Sequence, residues 1–174
     1  NFWRGAALRR LKRHEEALVA LDVAHGLGLA RPELQFERAV ALLKLGKPAE
    51  ALVELDLTLR LYPLDFEAYV WRGEAKRALG MHHAALKDLN EPALSSPDRA
   101  TPIWLWALFN RALVKAALGD RAGLEADFNA IPAHVREHLR RKTGQEDMVE
   151  LLKAGLELSR GFRREEYKQA IWMS

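Results

Sequence analysis

The sequence contains no cysteine. Disulfides, thiolate metal centres and a cysteine nucleophile are therefore excluded together, and the compartment stays open. Long apolar runs are missing too. No stretch approaches the ~20 residues that a membrane-spanning helix needs, and the amino end lacks the charged-then-apolar pattern of a signal peptide. A cytoplasmic location is the expectation that follows. There is little excess charge of either sign: 27 Lys and Arg stand against 24 Asp and Glu over 174 residues, a formal net charge of +3. Both signs are interleaved along most of the chain, which gives no electrostatic footprint for nucleic acid or a membrane surface. Phosphate-cradling glycine loops are absent, and Arg121-Ala122-Gly123 reads as a turn into a helix. No paired carboxylates and no Ser-His-Asp arrangement stand out along the chain. No cofactor is expected, and no catalysis.

What is present is a chain with 49% hydrophobic residues and no low-complexity tract. That composition supports a folded body. Its Ala-, Leu- and Arg-rich character points to a GC-rich bacterial genome.

Three segments of the chain align with one another. The first is Phe2-Trp3-Arg4-Gly5-Ala6-Ala7-Leu8, followed by Leu11 and by Glu16-Ala17-Leu18. The second is Phe36-Glu37-Arg38-Ala39-Val40-Ala41-Leu42, followed by Leu45-Gly46 and Glu50-Ala51-Leu52. The third is Val70-Trp71-Arg72-Gly73-Glu74-Ala75, followed by Leu79-Gly80 and Ala84-Ala85-Leu86. Arg4, Arg38 and Arg72 stand 34 residues apart, as do Ala17, Ala51 and Ala85, and Pro63 and Pro97. A fourth unit, Phe109-Asn110-Arg111-Ala112 with Leu118-Gly119, repeats the signature 39 residues on, so five extra residues fall between Pro97 and Leu108. Thr101-Pro102 has the chemistry of a helix start, which predicts a lengthened first helix from about Pro102.

A period of 34 with small-residue, Leu-Gly, Ala-Leu and Pro marks resembles the tetratricopeptide-repeat (TPR) family. The resemblance covers about three-quarters of the chain. It implies an all-α, right-handed superhelical solenoid of about four helix-turn-helix repeats plus carboxyl-terminal capping helices. The repeats would span about 1–31, 32–65, 66–97 and 98–132, the last with the insertion, making a TPR array over 1–132. Residues 133–174 would cap it. The chain starts without Met and inside a repeat, so a piece of a longer protein is expected.

The pattern has a physical basis. Gly5, Ala39, Gly73 and Ala112 are small where another helix must cross closely, and Ala17, Ala51 and Ala85 are small on the second helices. Leu21, Leu55, Leu89 and Phe128 fill the space between. Gly46, Gly80 and Gly119 suit a left-handed helix end. No unit buries its apolar face alone; stacking buries it. Two departures are visible. Leu124 replaces the second-helix Ala of the fourth unit, and Pro92 stands late in the third unit's second helix, where it should kink or end that helix. Beyond the repeats, helices are predicted from Pro132 to about Lys142, from Glu146 to Arg160, and from Arg163 to Trp172. This tail caps the stack or, alternatively, folds into a groove.

In the TPR family the first helices line a concave surface. The inward positions carried over to this sequence are Phe2, Trp3, Ala6 and Arg9; Phe36, Glu37, Val40 and Lys44; Val70, Trp71, Glu74 and Arg77; and Trp106, Phe109, Asn110 and Leu113. That face is apolar and aromatic with few charges. It suits an amphipathic helix or an extended apolar segment of another protein, or the chain's own tail, or a second copy. Of the Lys and Asn set with which some TPR domains grip a terminal carboxylate, only Asn110 is matched. The plain alternative is that these aromatics are core.

Arg4, Arg38, Arg72 and Arg111 recur on the first helices, and Asp22, Asp56, Asp88 and Asp127 on the second. A recurring buried Arg needs a partner, which predicts Arg–Asp pairs rather than a stripe for an acidic ligand. His134-Val135-Arg136-Glu137-His138 spells H-x-x-E-H, similar to the inverzincin metalloprotease motif. A zinc site at His134, Glu137 and His138 would need a further ligand from Glu146, Asp147, Glu150 or Glu157; a solvated helix face is the plainer reading. His82-His83 reads as a solvated turn. The function that follows is a protein–protein interaction scaffold without catalysis, or alternatively the regulatory or substrate-presenting region of a larger enzyme.

Overall fold

The structure is a computed structural model, and it describes residues 1–29, 31–95 and 102–161. Among them are ten helices and no strand: α1 (Phe2–Arg10), α2 (His14–Gly26), α3 (Pro32–Lys44), α4 (Pro48–Leu61), α5 (Phe66–Ala78), α6 (His82–Ser95), α7 (Pro102–Ala117), α8 (Arg121–Ala130), α9 (Ala133–Thr143) and α10 (Met148–Gly161). The pairs α1/α2, α3/α4, α5/α6 and α7/α8 are the four repeats read from the 34-residue spacing.

The turn inside each repeat is the same device four times. Gly46, Gly80 and Gly119 adopt φ of +73°, +74° and +74°. The next backbone N–H closes back across the turn: Lys47 to Leu42 O at 2.9 Å, Met81 to Lys76 O at 2.8 Å, Asp120 to Lys115 O at 2.9 Å. This is the Schellman arrangement, which satisfies carbonyls that a helix end leaves open. The first repeat makes the same bond, Arg13 N–H to Leu8 O at 3.0 Å, but its left-handed residue is Lys12 at φ +62°. A side chain there carries a steric cost that glycine avoids.

By the packing of its backbone the chain divides into two compact units, Asn1–Met81 and the part from His82 onward. The division falls between the two helices of the third repeat.

In the first unit, each of α3 and α5 packs against the second helix before it, and α3 also touches both α1 and α5. Small residues set the closeness of these contacts. A Cβ on Gly5 would stand 2.5 Å from Leu21 Cγ and 3.2 Å from the Ala17 carbonyl oxygen. Ala17, Leu21, Ala39, Ala51 and Leu55 are completely buried, which is the core that the periodicity predicted.

In the second unit α7 is the hub, packing against α6, α8 and α10. Its core combines Trp104, Leu105, Leu108, Phe109 and Leu113 of α7 with Leu124 and Phe128 of α8, Val135 and Leu139 of α9, and Leu151, Leu152 and Leu156 of α10. α7 starts at Pro102 and runs 16 residues against 13 for α3 and α5, the predicted lengthening. Leu124 is buried in this cluster, so the larger side chain is accommodated. Pro92 does not end α6, which continues to Ser95. A proline in the last turn deletes one backbone hydrogen bond, and the other bonds of that turn persist. α9 stops at Gly144 in the left-handed conformation, φ +67°, as the Thr143-Gly144 pair predicts. α10 extends through Gly161 instead of breaking at it. The third tail helix expected over 163–172 lies outside the described residues.

Candidate protein-interaction surface

The recurring charges resolve into two registers. Asp22 and Asp56 stand 34 residues apart, and the next member of that series is Asn90; Glu54 and Asp88 form a second series that Asp127 continues after the insertion. The single Asp22-Asp56-Asp88-Asp127 stripe of the sequence reading therefore mixed two positions one half-turn apart. The structure shows what the two do. Arg38 Nε donates to Asp22 Oδ1 of the preceding helix at 2.9 Å, and its Nη1 donates to Glu54 Oε1 of the following helix at 2.6 Å. Arg72 Nη1 donates to Asp56 Oδ1 at 2.8 Å. Arg111 grips Asp127 with two bonds of 2.9 and 2.6 Å and reaches Asn90 Oδ1 at 3.3 Å. Lys115 Nζ adds a contact to Asp127 at 2.9 Å. The predicted pairing is thus structural: Arg38 and Arg111 each tie the second helices on their two sides, and Arg72 bonds the second helix before it. Arg4 is exposed, and Ala20 occupies the place that Glu54 holds one repeat later.

Burial acts on this ladder. Glu54 is pushed up from the ordinary glutamate value because desolvation disfavours its charge, and Arg38 only partly opposes that. Its Oε2 is buried with no hydrogen-bond partner, whereas Oε1 holds Arg38.

Of the positions read as inward-facing, Ala6, Glu37, Val40, Val70, Trp71, Glu74, Phe109, Asn110 and Leu113 are buried, Phe2, Arg9, Phe36, Lys44, Arg77 and Trp106 are half-buried, and Trp3 is exposed. The buried nine form packing rather than open surface. In the first unit the reason is that neighbouring first helices share these side chains. Arg9 of α1 donates Nη2 to Glu37 Oε1 of α3 at 3.0 Å, and its Nε also bonds Glu37 Oε2. Lys44 of α3 sits over the Trp71 ring of α5, its Nζ 5.2 Å from the ring centre. In the second unit Phe109 and Leu113 share one buried cluster with Leu151, Leu152 and Leu156 of α10, and Gly155 of α10 stands against the Phe109 ring. Asn110 turns its side-chain amide to the Trp106 carbonyl at 3.2 Å, a bond within its own helix that leaves it a packing residue.

The outward part of the first-unit face is aromatic and basic. Trp3 is 76% exposed and stands edge-on to Phe2, ring centres 5.1 Å apart. At the carboxyl end of α1 and the start of α2, His14 is held below its ordinary value, first by burial and then by Lys44, Arg9 and Lys12. Burial is the larger cause, and the three nearby cations add to it.

No cluster of three His, Asp or Glu that could hold a metal occurs among the described residues. His134 and Glu137 lie on the exposed side of α9, and Glu137 accepts from Arg141 at 2.9 Å one turn on. No helix among the described residues is long and apolar enough to cross a membrane.

The architecture is an all-α helical-repeat fold of the TPR type. Two solved structures share it. One is the MamA RS-1 ArsTM double mutant, 21% identical, with a TM-score of 0.64 over 90% of each chain. The other is MamA AMB-1, 16% identical, with a TM-score of 0.65 over 95% of this chain and 93% of that one. At these identities the likeness is one of fold. No family profile matches the sequence, and no curated protein sequence matches it.

Proposed function

We propose that this chain is a non-catalytic protein-binding module, and that the face formed by α1, α3 and α5 receives a helical or extended apolar segment of another polypeptide. The observation that carries the reading is Trp3. It is a large aromatic side chain left 76% exposed, on the helix layer that TPR-type repeats use for recognition, beside the half-buried Phe2. Exposed Trp and Arg at a rigid helical face are the residue types that anchor protein interfaces. Phe2, Phe36 and Arg77 complete the surface. Glu37, Trp71 and Lys44 support it from beneath through their contacts with neighbouring helices. Helical repeats provide rigid platforms of this kind without any built-in chemistry.

The test is affinity capture with the immobilised chain, followed by identification of the retained proteins. The same capture is then done with Trp3→Ala combined with Arg77→Ala. Specific partners retained by the native chain should be lost or markedly reduced with the double variant, whose helical content should match. Equal retention by both would overturn the assignment to this face.

A further inference from the structure

In the second unit the recognition layer is already occupied by the chain itself. α10 packs against α7, and its Leu151, Leu152 and Leu156 share one buried cluster with Trp104, Leu105, Leu108, Phe109 and Leu113 of α7 and with Val135 and Leu139 of α9. The crossing is tight at one place. A Cβ on Gly155 would stand 2.7 Å from both Cε1 and Cζ of the Phe109 ring, so only glycine lets the two helices approach there. Phe109 stands in the register of Phe2 and Phe36, which are half-buried in the first unit, and Leu113 in that of the buried Ala6, Val40 and Glu74. α10 thus fills, in cis, the place that a partner helix would take.

We infer that the face of α7 is a second helix-docking surface, specific for an amphipathic helix with the pattern Leu-Leu-x-x-Gly-Leu, and that α10 is its resident competitor. The inference rests on reading the chain as a protein-binding module. The partner's chemistry comes from the occupant: two leucines one turn before a glycine that meets Phe109, and a third leucine directly after it. The attachment of α10 suits exchange. Among the described residues it packs against α7 and, less extensively, against α9. The link between α9 and α10 is short, opened by the left-handed Gly144, and its bridge from Arg140 to Glu146 is a surface contact at 3.3 Å. Surface pairs of this kind add little. Opening α10 therefore breaks its interfaces with α7 and α9 and leaves α7 with its contacts to α6 and α8.

A ligand that needs the open state binds more weakly by the fraction of time the site is open. The probe is a synthetic peptide of residues 146–161, and the protein is the full chain. In the full-chain variant Gly155→Leu the leucine cannot pass Phe109, α10 is expelled, and the α7 face is unaltered. The peptide should bind this variant about tenfold or more tightly than the native chain, read from Trp104 and Trp106 fluorescence. The same peptide carrying Gly155→Leu should not bind either protein. Protease cleavage between 144 and 147 should rise in the variant. Failure of the native peptide to bind a variant that keeps its helical content would overturn the inference, as would equal binding of both peptides. A second measurement covers the case in which the variant does not fold. In the native chain, amide hydrogens of 151–157 should exchange faster than those of α7, as expected for an element that opens on its own. Exchange of α10 and α7 together, at one rate, would show α10 to be indivisible core and overturn the inference. The protease and hydrogen-exchange readouts do not involve Trp3 or Arg77, so this proposal and the first-unit surface can fail separately.

Discussion

Arg38 bonds Asp22 on the helix before it and Glu54 on the helix after it. One guanidinium thereby joins α2, α3 and α4, a geometry that the planar five-donor fork of Arg provides and Lys does not. The side chains of Arg38 and Glu54 are mostly buried, whereas Asp22 is half exposed. The Arg38–Glu54 half should accordingly dominate, because exposed pairs are screened and partly buried ones much less so. Arg38→Ala should destabilise the protein by about 2–4 kcal/mol, since it strands a buried carboxylate. Asp22→Ala should cost less than about 1 kcal/mol. Urea unfolding of the two variants checks the order; equal losses would refute the division of labour.

Glu54 also sets a pH dependence. Its folded-state value is raised above the unfolded one, so the folded state binds the extra proton between the two values. Stability from this group is then fully present below the unfolded value and is lost as pH rises through the raised folded value. Glu54→Gln removes the titration while keeping an oxygen for Arg38. Unfolding curves for the variant and the native protein, taken from about pH 4 to about pH 7.5, should show the variant gaining relative stability as pH increases. A pH-independent difference would contradict the sign.

How much of this was legible beforehand depends on what carried the information. The repeat, its four Leu-Gly or equivalent turns and the long α7 were readable because backbone geometry imposes them. A left-handed helix end selects glycine, and Pro102 fits the first turn of a helix. The pairing of Arg with acid was readable as well, but Glu54 was missed. Aligning the second helices strictly at the 34-residue spacing separates the Glu54–Asp88 series from the Asp22–Asp56 series, and that signal was in the sequence. The burial of Trp71 and Phe109 was not. A period reports which helix face a residue occupies; whether a neighbour closes that face depends on tertiary packing. The covering helix in one case, α10, lies outside the repeat altogether.

The burial makes its own prediction. Trp71→Ala and Phe109→Ala should each cost about 3–5 kcal/mol, the usual range for truncating a buried aromatic. Trp3→Ala should change stability by less than about 0.5 kcal/mol, as for an exposed side chain away from special features. Thermal or denaturant unfolding of the three variants distinguishes core from surface directly. A well-folded, stable Phe109→Ala protein would show that α10 does not depend on that ring.

Lys12 offers the converse case, a stabilising change. It holds φ +62° at the turn where the other three repeats place glycine, and the Schellman bond from Arg13 N–H to Leu8 O fixes it there. Lys12→Gly relieves the clash between Cβ and backbone in the folded state. It also makes the unfolded chain more flexible, which works against stability. The left-handed conformation costs a non-glycine residue roughly 1–2 kcal/mol, and the added flexibility of glycine roughly 0.5–1 kcal/mol. The net should be a gain of about 0.5–1 kcal/mol, seen as a higher denaturant midpoint with unchanged slope. The reverse substitution, Gly46→Ala, should lose about 1 kcal/mol on the same grounds. The two together test whether the turn conformation, and not the charge of Lys12 near the end of α1, governs that position. A loss on Lys12→Gly would assign the stabilising role to the charge, which favours a helix carboxyl end.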